Sequence, residues 1–179
     1  WGKPEFVETG WRTLKVPDYW EPQGVTDPRP GMPPKPRIGV AWTDYDGVAW
    51  YRKRLIVPRS WAGKPLILQL GSVDDADRTF VNGVLVGETP ITEMQSVLIH
   101  RAYRVPPNII RPGAVNIVAV KVTDGGGPGG LMGPNVCLVP EKMLSGPVHI
   151  PGDDRPLAER FANPPARARI LKIIHIWPD

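Results

Sequence analysis

The chain has 179 residues, a net charge of +4, 23 prolines, 19 glycines and one cysteine. That length holds one domain with a real core, or one domain and a fragment of another. The lone cysteine excludes an internal disulfide framework and a Cys-based zinc site. The scattered basic residues lack the clustered face with interleaved aromatics of a nucleic-acid binder, and no stretch approaches the ~20 apolar residues of a membrane span.

Residues 1–20 carry sparse apolar anchors: Trp1, Phe6, Trp11, Leu14, Val16 and Trp20. Trp11 to Pro17 reads as an edge strand ending at proline. Residues 21–37 are rich in Pro and Gly and predict a long surface loop, of the kind that is usually functional or mobile. Residues 47–58, GVAWYRKRLIVP, predict a strand. Ala49, Tyr51, Lys53 and Leu55 face one way and Trp50, Arg52, Arg54 and Ile56 the other, and neither face is clean.

The rest of the chain is arranged around residues 66–87, LILQLGSVDDADRTFVNGVLVG. Leu66, Leu68 and Leu70 alternate with Ile67 and Gln69, the pattern of a half-buried strand. Asp74, Asp75 and Asp77 break it as an acidic turn. Asn82-Gly83 between two apolar runs predicts a hairpin with a type I′ turn, which needs positive φ at both central residues.

Residues 100–106 predict a short strand stopped by prolines. VNIVAVKVT, residues 115–123, is the cleanest strand, with Val118, Val120 and Val122 on one face. Residues 124–134, DGGGPGGLMGP, form a glycine loop, and residues 136–139 a last short strand that contains Cys137, read as a small core residue. Roughly six to eight short strands with turn signals between them predict an all-β fold, a jelly-roll β-sandwich.

Residues 151–165 read as a linker. RILKIIHIW, residues 169–177, is nearly continuous apolar sequence, as in a strand buried on both faces. We therefore expect a sandwich over residues 1–150, a linker over 151–165, and over 166–179 the first strand of a following domain, one built on a parallel sheet or a barrel. The chain reads as a piece cut from a longer polypeptide, and localisation stays open because a signal peptide would lie outside such a piece.

The motifs Ala49-Trp50-Tyr51-Arg52-Lys53, Val57-Pro58, Leu68 to Asp75, Val81-Asn82-Gly83, Val86-Gly87, His100-Arg101-Ala102-Tyr103 and Gly113 to Val120 occur in this order. The series, over roughly residues 10–140, resembles the galactose-binding-like, sugar-binding domain of family 2 glycoside hydrolases. The accessory domain of sialate O-acetylesterases is similar. The resemblance implies a galactose-binding-domain-like jelly roll attached to a carbohydrate-active enzyme, with the cleaving carboxylates in the neighbouring domain, and by analogy a periplasmic or extracellular setting. The glycine loop in relatives often carries an aromatic residue near the sugar; here Leu131-Met132 stands there.

Three functional readings follow. The first is a non-catalytic accessory sandwich of a glycoside hydrolase, packed on its catalytic domain and completing the substrate pocket through residues 20–42 or 124–133. The second is an autonomous carbohydrate-binding module, and the third the accessory domain of a carbohydrate esterase. In each the partner is an oligo- or polysaccharide, with neither nucleic acid nor membrane. Trp faces stack on the apolar side of a pyranose while polar neighbours bond its hydroxyls. Trp20, Trp42, Trp50, Arg52, His100 and Tyr103 are the candidate sugar contacts. For Trp50 a core role, and for His100 a structural hydrogen bond, is the preferred alternative. Asp74, Asp75, Asp77 and Asp124 could supply hard oxygen ligands to a structural Ca²⁺, which takes about 6–8 of them. The preferred alternative is that the acidic turn caps the hairpin by side-chain-to-backbone bonds. No other cofactor is expected. Adjacent Asp74 and Asp75 would point to opposite faces of a strand and so make a poor acid/base pair. No catalytic residue is expected in this segment.

Overall fold

The computed structural model describes residues 1–26, 45–91 and 96–144, together with the backbone of residues 172–176. These residues form β1 (Arg12–Leu14), β2 (Asp18–Tyr19), β3 (Gly47–Ile56), β4 (Leu66–Gly71), β5 (Val73–Asp74), β6 (Ala76–Val81), β7 (Val84–Thr89), β8 (Arg101–Val105), β9 (Val115–Asp124), β10 (Gly130–Leu131), β11 (Cys137–Pro140) and β12 (Lys172–Ile176). Helix is limited, among the described residues, to three-residue 3₁₀ turns, and none is long and apolar enough to cross a membrane.

The strands make an antiparallel β-sandwich, as the period-2 patterns predict. One sheet has the order β1-β12-β3-β9-β6-β7; facing it are β11-β4-β8 and the small sheet β2-β10-β5. Leu66, Leu68 and Leu70 of β4 are buried while Ile67 and Gln69 are partly exposed, so the alternation read from sequence is the alternation seen. Those leucines meet Ala49 and Tyr51 of β3 and Val118, Val120 and Val122 of β9 in one core. Each fully buried aliphatic side chain contributes about 1.5–3 kcal/mol by leaving water.

Asn82-Gly83 makes the expected two-residue turn, with φ of 50° and 85° and Val81 paired to Val84. Asn82 also acts at longer range. Its Nδ2 donates to Ile109 O at 2.7 Å and to Asn116 Oδ1 at 2.8 Å, and its Oδ1 accepts from Ile117 N at 2.9 Å. The turn is thereby bonded to the start of β9.

The mixed face of β3 has a physical explanation that local sequence did not reveal. Residues 1–11 lie over it. Trp50 is half-buried in an aromatic cluster, 5.9 Å from Trp1 and 5.8 Å from Phe80 between ring centroids. Arg52 is 2 % exposed. It meets Glu8 Oε1 at 2.9 Å and donates to the carbonyls of Trp1, Lys3 and Phe6.

One expectation is corrected. Lys172–Ile176, read as opening a following domain, is β12, which pairs antiparallel with β1 on one side and β3 on the other. A run of β-branched apolar residues suits any central strand, and the sequence pattern alone does not distinguish a barrel from a sandwich interior. The linker reading of residues 151–165 lies outside the described residues.

Cys137 is partly buried, with Sγ 3.4 Å from Gln69 Oε1, and burial pushes its thiol up to about 11. Thiolate is the reacting form. Alkylation of Cys137 by iodoacetamide at pH 8 is therefore expected to be on the order of 100-fold slower in the native protein than in urea. Equal rates would show a reactive thiol.

Candidate functional site

The sheet register gathers acidic residues at one end of the sandwich. β3 and β9 pair over ten residues, ending with Gly47 opposite Asp124, so Asp46 and Asp124 finish at the same edge. Ala76 of β6 pairs with Thr123, and the Asp75 N–H donates to Thr123 O at 3.1 Å, which brings Asp75 beside Asp124. Asp74 of β5 pairs with Gly130 of β10. Asp74, Asp75 and Asp124 each offer a carboxylate oxygen, and these atoms lie within 4.8 Å of one another.

This convergence differs from the expected opposite orientation of Asp74 and Asp75. β5 ends at Asp74 and the chain bends at Asp75, so strand alternation does not govern the pair. The carboxylates do cap backbone, but the glycine loop rather than the hairpin. Asp75 Oδ2 accepts from Gly125 N at 2.9 Å and Asp124 Oδ1 from Gly126 N at 3.1 Å. Asp124 is 2 % exposed, and its Oδ2 is buried with no hydrogen-bond partner among the described residues. Burial pushes the Asp124 carboxyl up to about 8; the Gly126 N–H opposes this, and the charges of Asp74, Asp75 and Asp46 add to it.

The glycine loop is held against β4–β5 by backbone contact. Gly71, at φ +64°, would place a Cβ 2.4 Å from Gly133 Cα, and the N–H groups of Met132 and Gly133 donate to Ser72 O at 2.9 and 3.1 Å. Side chains at Gly71 or Gly133 would force the loop off the strand.

Asp77 does not join the acidic group, which corrects its candidacy as a metal ligand. Its side chain is buried in the sandwich. Its Oδ1 accepts from Arg101 Nε at 3.1 Å and Tyr103 OH at 2.9 Å, and its Oδ2 accepts from Thr79 Oγ1 at 2.7 Å. Both Arg101 and Asp77 side chains have 0 % exposure. Sequence reading overlooked Arg101; a charged residue between His100 and Tyr103 in a short strand carries no local sign that it is buried.

The candidate sugar contacts do not converge. Trp20 has no exposed surface and stacks in the core on Tyr51, so its face is closed to a ligand. Arg52 spends its donors on Glu8 and on backbone carbonyls of residues 1–6, so it too is closed. Trp50 lies half-buried on the outer face of the large sheet. Tyr103 is half-buried, its hydroxyl held between Asp77 and Thr89 Oγ1, the latter at 2.8 Å. His100 is exposed just before β8. Trp42 lies outside the described residues.

The chemistry open to this end of the sandwich is hydrogen-bond acceptance and cation binding. Oxygens within 4.8 Å sit closer than the roughly 5–9.5 Å that separates glycosidase carboxyl groups across a sugar. A cavity between the sheets, lined by Tyr51, Leu70, Val118, Val120 and Val136 among others, has a volume of about 10 Å³. That is room for one water, against roughly 300–1,000 Å³ for a ligand pocket.

No family model matches the chain. No curated protein matches it. Among solved structures, the chain is similar to the β-glucuronidase of Ruminococcus gnavus. The complex with N1-substituted uronic isofagomine is 24 % identical with a TM-score of 0.41. The complex with D-glucuronic acid is 24 % identical with a TM-score of 0.40. A further crystal structure of that enzyme is 24 % identical with a TM-score of 0.39. Each similarity covers 46 % of this chain and 13 % of the glucuronidase, so the matched region is a small part of that enzyme.

Proposed function

We propose that the chain is the non-catalytic β-sandwich of a larger glycoside hydrolase, which packs on the catalytic domain of the same polypeptide and completes its carbohydrate pocket. The observation that carries this reading is the loop end of the sandwich. Two segments about 50 residues apart, the turn at residues 72–76 and the glycine loop at residues 124–134, meet there by backbone contact, with Asp74 and Asp75 half-buried between them. Among the described residues such a surface offers acceptors to sugar hydroxyls but no enclosure, so a pocket needs a second wall. The ordered motif series supports the same reading, since its segments lie on the paired strands and turns of the sandwich.

The test is steady-state hydrolysis of an aryl-glycoside panel by the full-length polypeptide and its Asp74→Ala variant. A carboxylate bonded to a substrate hydroxyl contributes about 1.5–3 kcal/mol. Asp74→Ala is therefore expected to lower kcat/KM roughly 10-fold or more, chiefly through KM. Unchanged kinetics in a folded variant would remove the pocket role. Release of acetate from O-acetylated sugars, without glycoside cleavage, would support the esterase reading instead. Saturable glycan binding by the 179-residue chain alone would support an autonomous binding module.

A further inference from the structure

We propose that Asp74, Asp75 and Asp124 hold a divalent cation, Ca²⁺, that ties the turn between β4 and β6 to the glycine loop after β9. The proposal is independent of any glycan. The donors are carboxylate oxygens alone, a hard set that suits Ca²⁺ or Mg²⁺ rather than zinc or copper. The three oxygens lie within 4.8 Å of one another, a separation that one coordination shell spans. Ca²⁺, which takes about 6–8 oxygens in flexible geometry, suits ligands drawn from a turn and a loop better than Mg²⁺, which demands a near-octahedral shell.

The second observation is Asp124 Oδ2. Asp124 is 2 % exposed, and among the described residues this oxygen meets no donor. A buried carboxylate oxygen without a partner is a standing cost to the fold. The neighbouring donors are committed elsewhere. The Gly126 N–H goes to Asp124 Oδ1, and the Gly125 N–H to Asp75 Oδ2. Arg101 is occupied by Asp77, and its contact with the turn is a bond from Nη2 to the backbone carbonyl of Asp75 at 2.6 Å. Among the described residues no Lys or Arg forms an ion pair with Asp124. A cation between the three carboxylates supplies the missing partner, and water and main-chain oxygens complete its shell.

The experiment is calorimetric titration of the chelator-treated 179-residue chain with CaCl2 and, separately, MgCl2, alongside thermal melting. Expected is saturable one-site binding of Ca²⁺, weaker binding of Mg²⁺, and a Tm raised by roughly 5–10 °C at a Ca²⁺ concentration about 100-fold above Kd. Asp124→Asn keeps an oxygen for the Gly126 N–H, so it is expected to fold and to lose the Ca²⁺ response. If that variant does not fold, Asp74→Asn is the second probe, with Ca²⁺ affinity expected to fall at least roughly 10-fold. No saturable heat and an unchanged Tm would overturn the proposal, leaving Asp124 satisfied by a proton. A full Ca²⁺ response in a folded Asp124→Asn or Asp74→Asn protein would overturn it equally, by placing the ion elsewhere. Mg²⁺ binding as tight as Ca²⁺ would overturn the choice of ion.

Discussion

Trp20→Ala is expected to lower the free energy of unfolding by about 3–5 kcal/mol, the cost of deleting a large buried aromatic side chain. Trp20 has 0 % exposure. Its ring stacks on Tyr51 at 6.5 Å and 14° and meets Tyr45 edge-on at 5.6 Å. Its Nε1 donates to Glu21 Oε1, and that same oxygen accepts from Gly129 N at 2.9 Å. The Trp20 N–H donates to Gly129 O at 3.1 Å. The indole thus fills the core and anchors one end of the glycine loop through a buried glutamate. Alanine would leave a cavity and take one donor from a carboxylate that is itself 4 % exposed. Trp20→Phe should lose less, about 1–3 kcal/mol, because it keeps a ring but not the N–H. Urea unfolding followed by far-UV circular dichroism measures both. A sugar-stacking tryptophan gives the opposite result, with a wild-type midpoint for the alanine variant and a loss confined to glycan binding.

Arg101→Ala is expected to destabilise by a similar amount, about 3–5 kcal/mol, for a different reason. The Arg101–Asp77 pair is fully buried, and removing the cation leaves Asp77 charged inside the sandwich. The guanidinium also donates to the carbonyls of Ser96, Ile99 and Asp75. It therefore fastens residues 96–100 and the acidic turn to the start of β8. Arg101→Lys is not expected to rescue, since one ammonium cannot reproduce a planar fork of donors aimed at a carboxylate and three carbonyls. Removing both partners in Arg101→Leu/Asp77→Leu should cost less than the sum of the single changes, because no lone charge remains. A double-mutant cycle by denaturant unfolding reads this directly. Additive losses would mean that the two side chains act separately and that the burial of charge is not the main effect. Tyr103 belongs to the same network. Burial raises the ionisation of its hydroxyl well above the ordinary tyrosine value, and the hydroxyl donates to Asp77 as a neutral group.

These two cases mark the boundary between local and long-range information. Much of the fold was legible along the chain. The alternation of Leu66, Leu68 and Leu70 placed β4 and its buried face, the valines of residues 118–122 placed β9, and Asn82-Gly83 placed the hairpin. In each instance the relevant physics acts within a few residues: side-chain period, backbone φ, and the absence of a helical stripe. The meeting of Asp74 and Asp75 with Asp124 was suspected from composition, but their common direction was not, since it needs the β3–β9 register and a bend that ends strand alternation. The burial of Trp20, Arg52 and Arg101 was illegible for the same reason. Each is covered by segments distant in sequence: Arg52 by residues 1–8, Trp20 by the glycine loop and β3, Arg101 by residues 75–77. A polar or aromatic side chain at a strand or loop position looks the same in sequence whether it ends in solvent or under another segment. Which of the two occurs depends on contacts whose entropy of closure is met only when the whole sandwich forms.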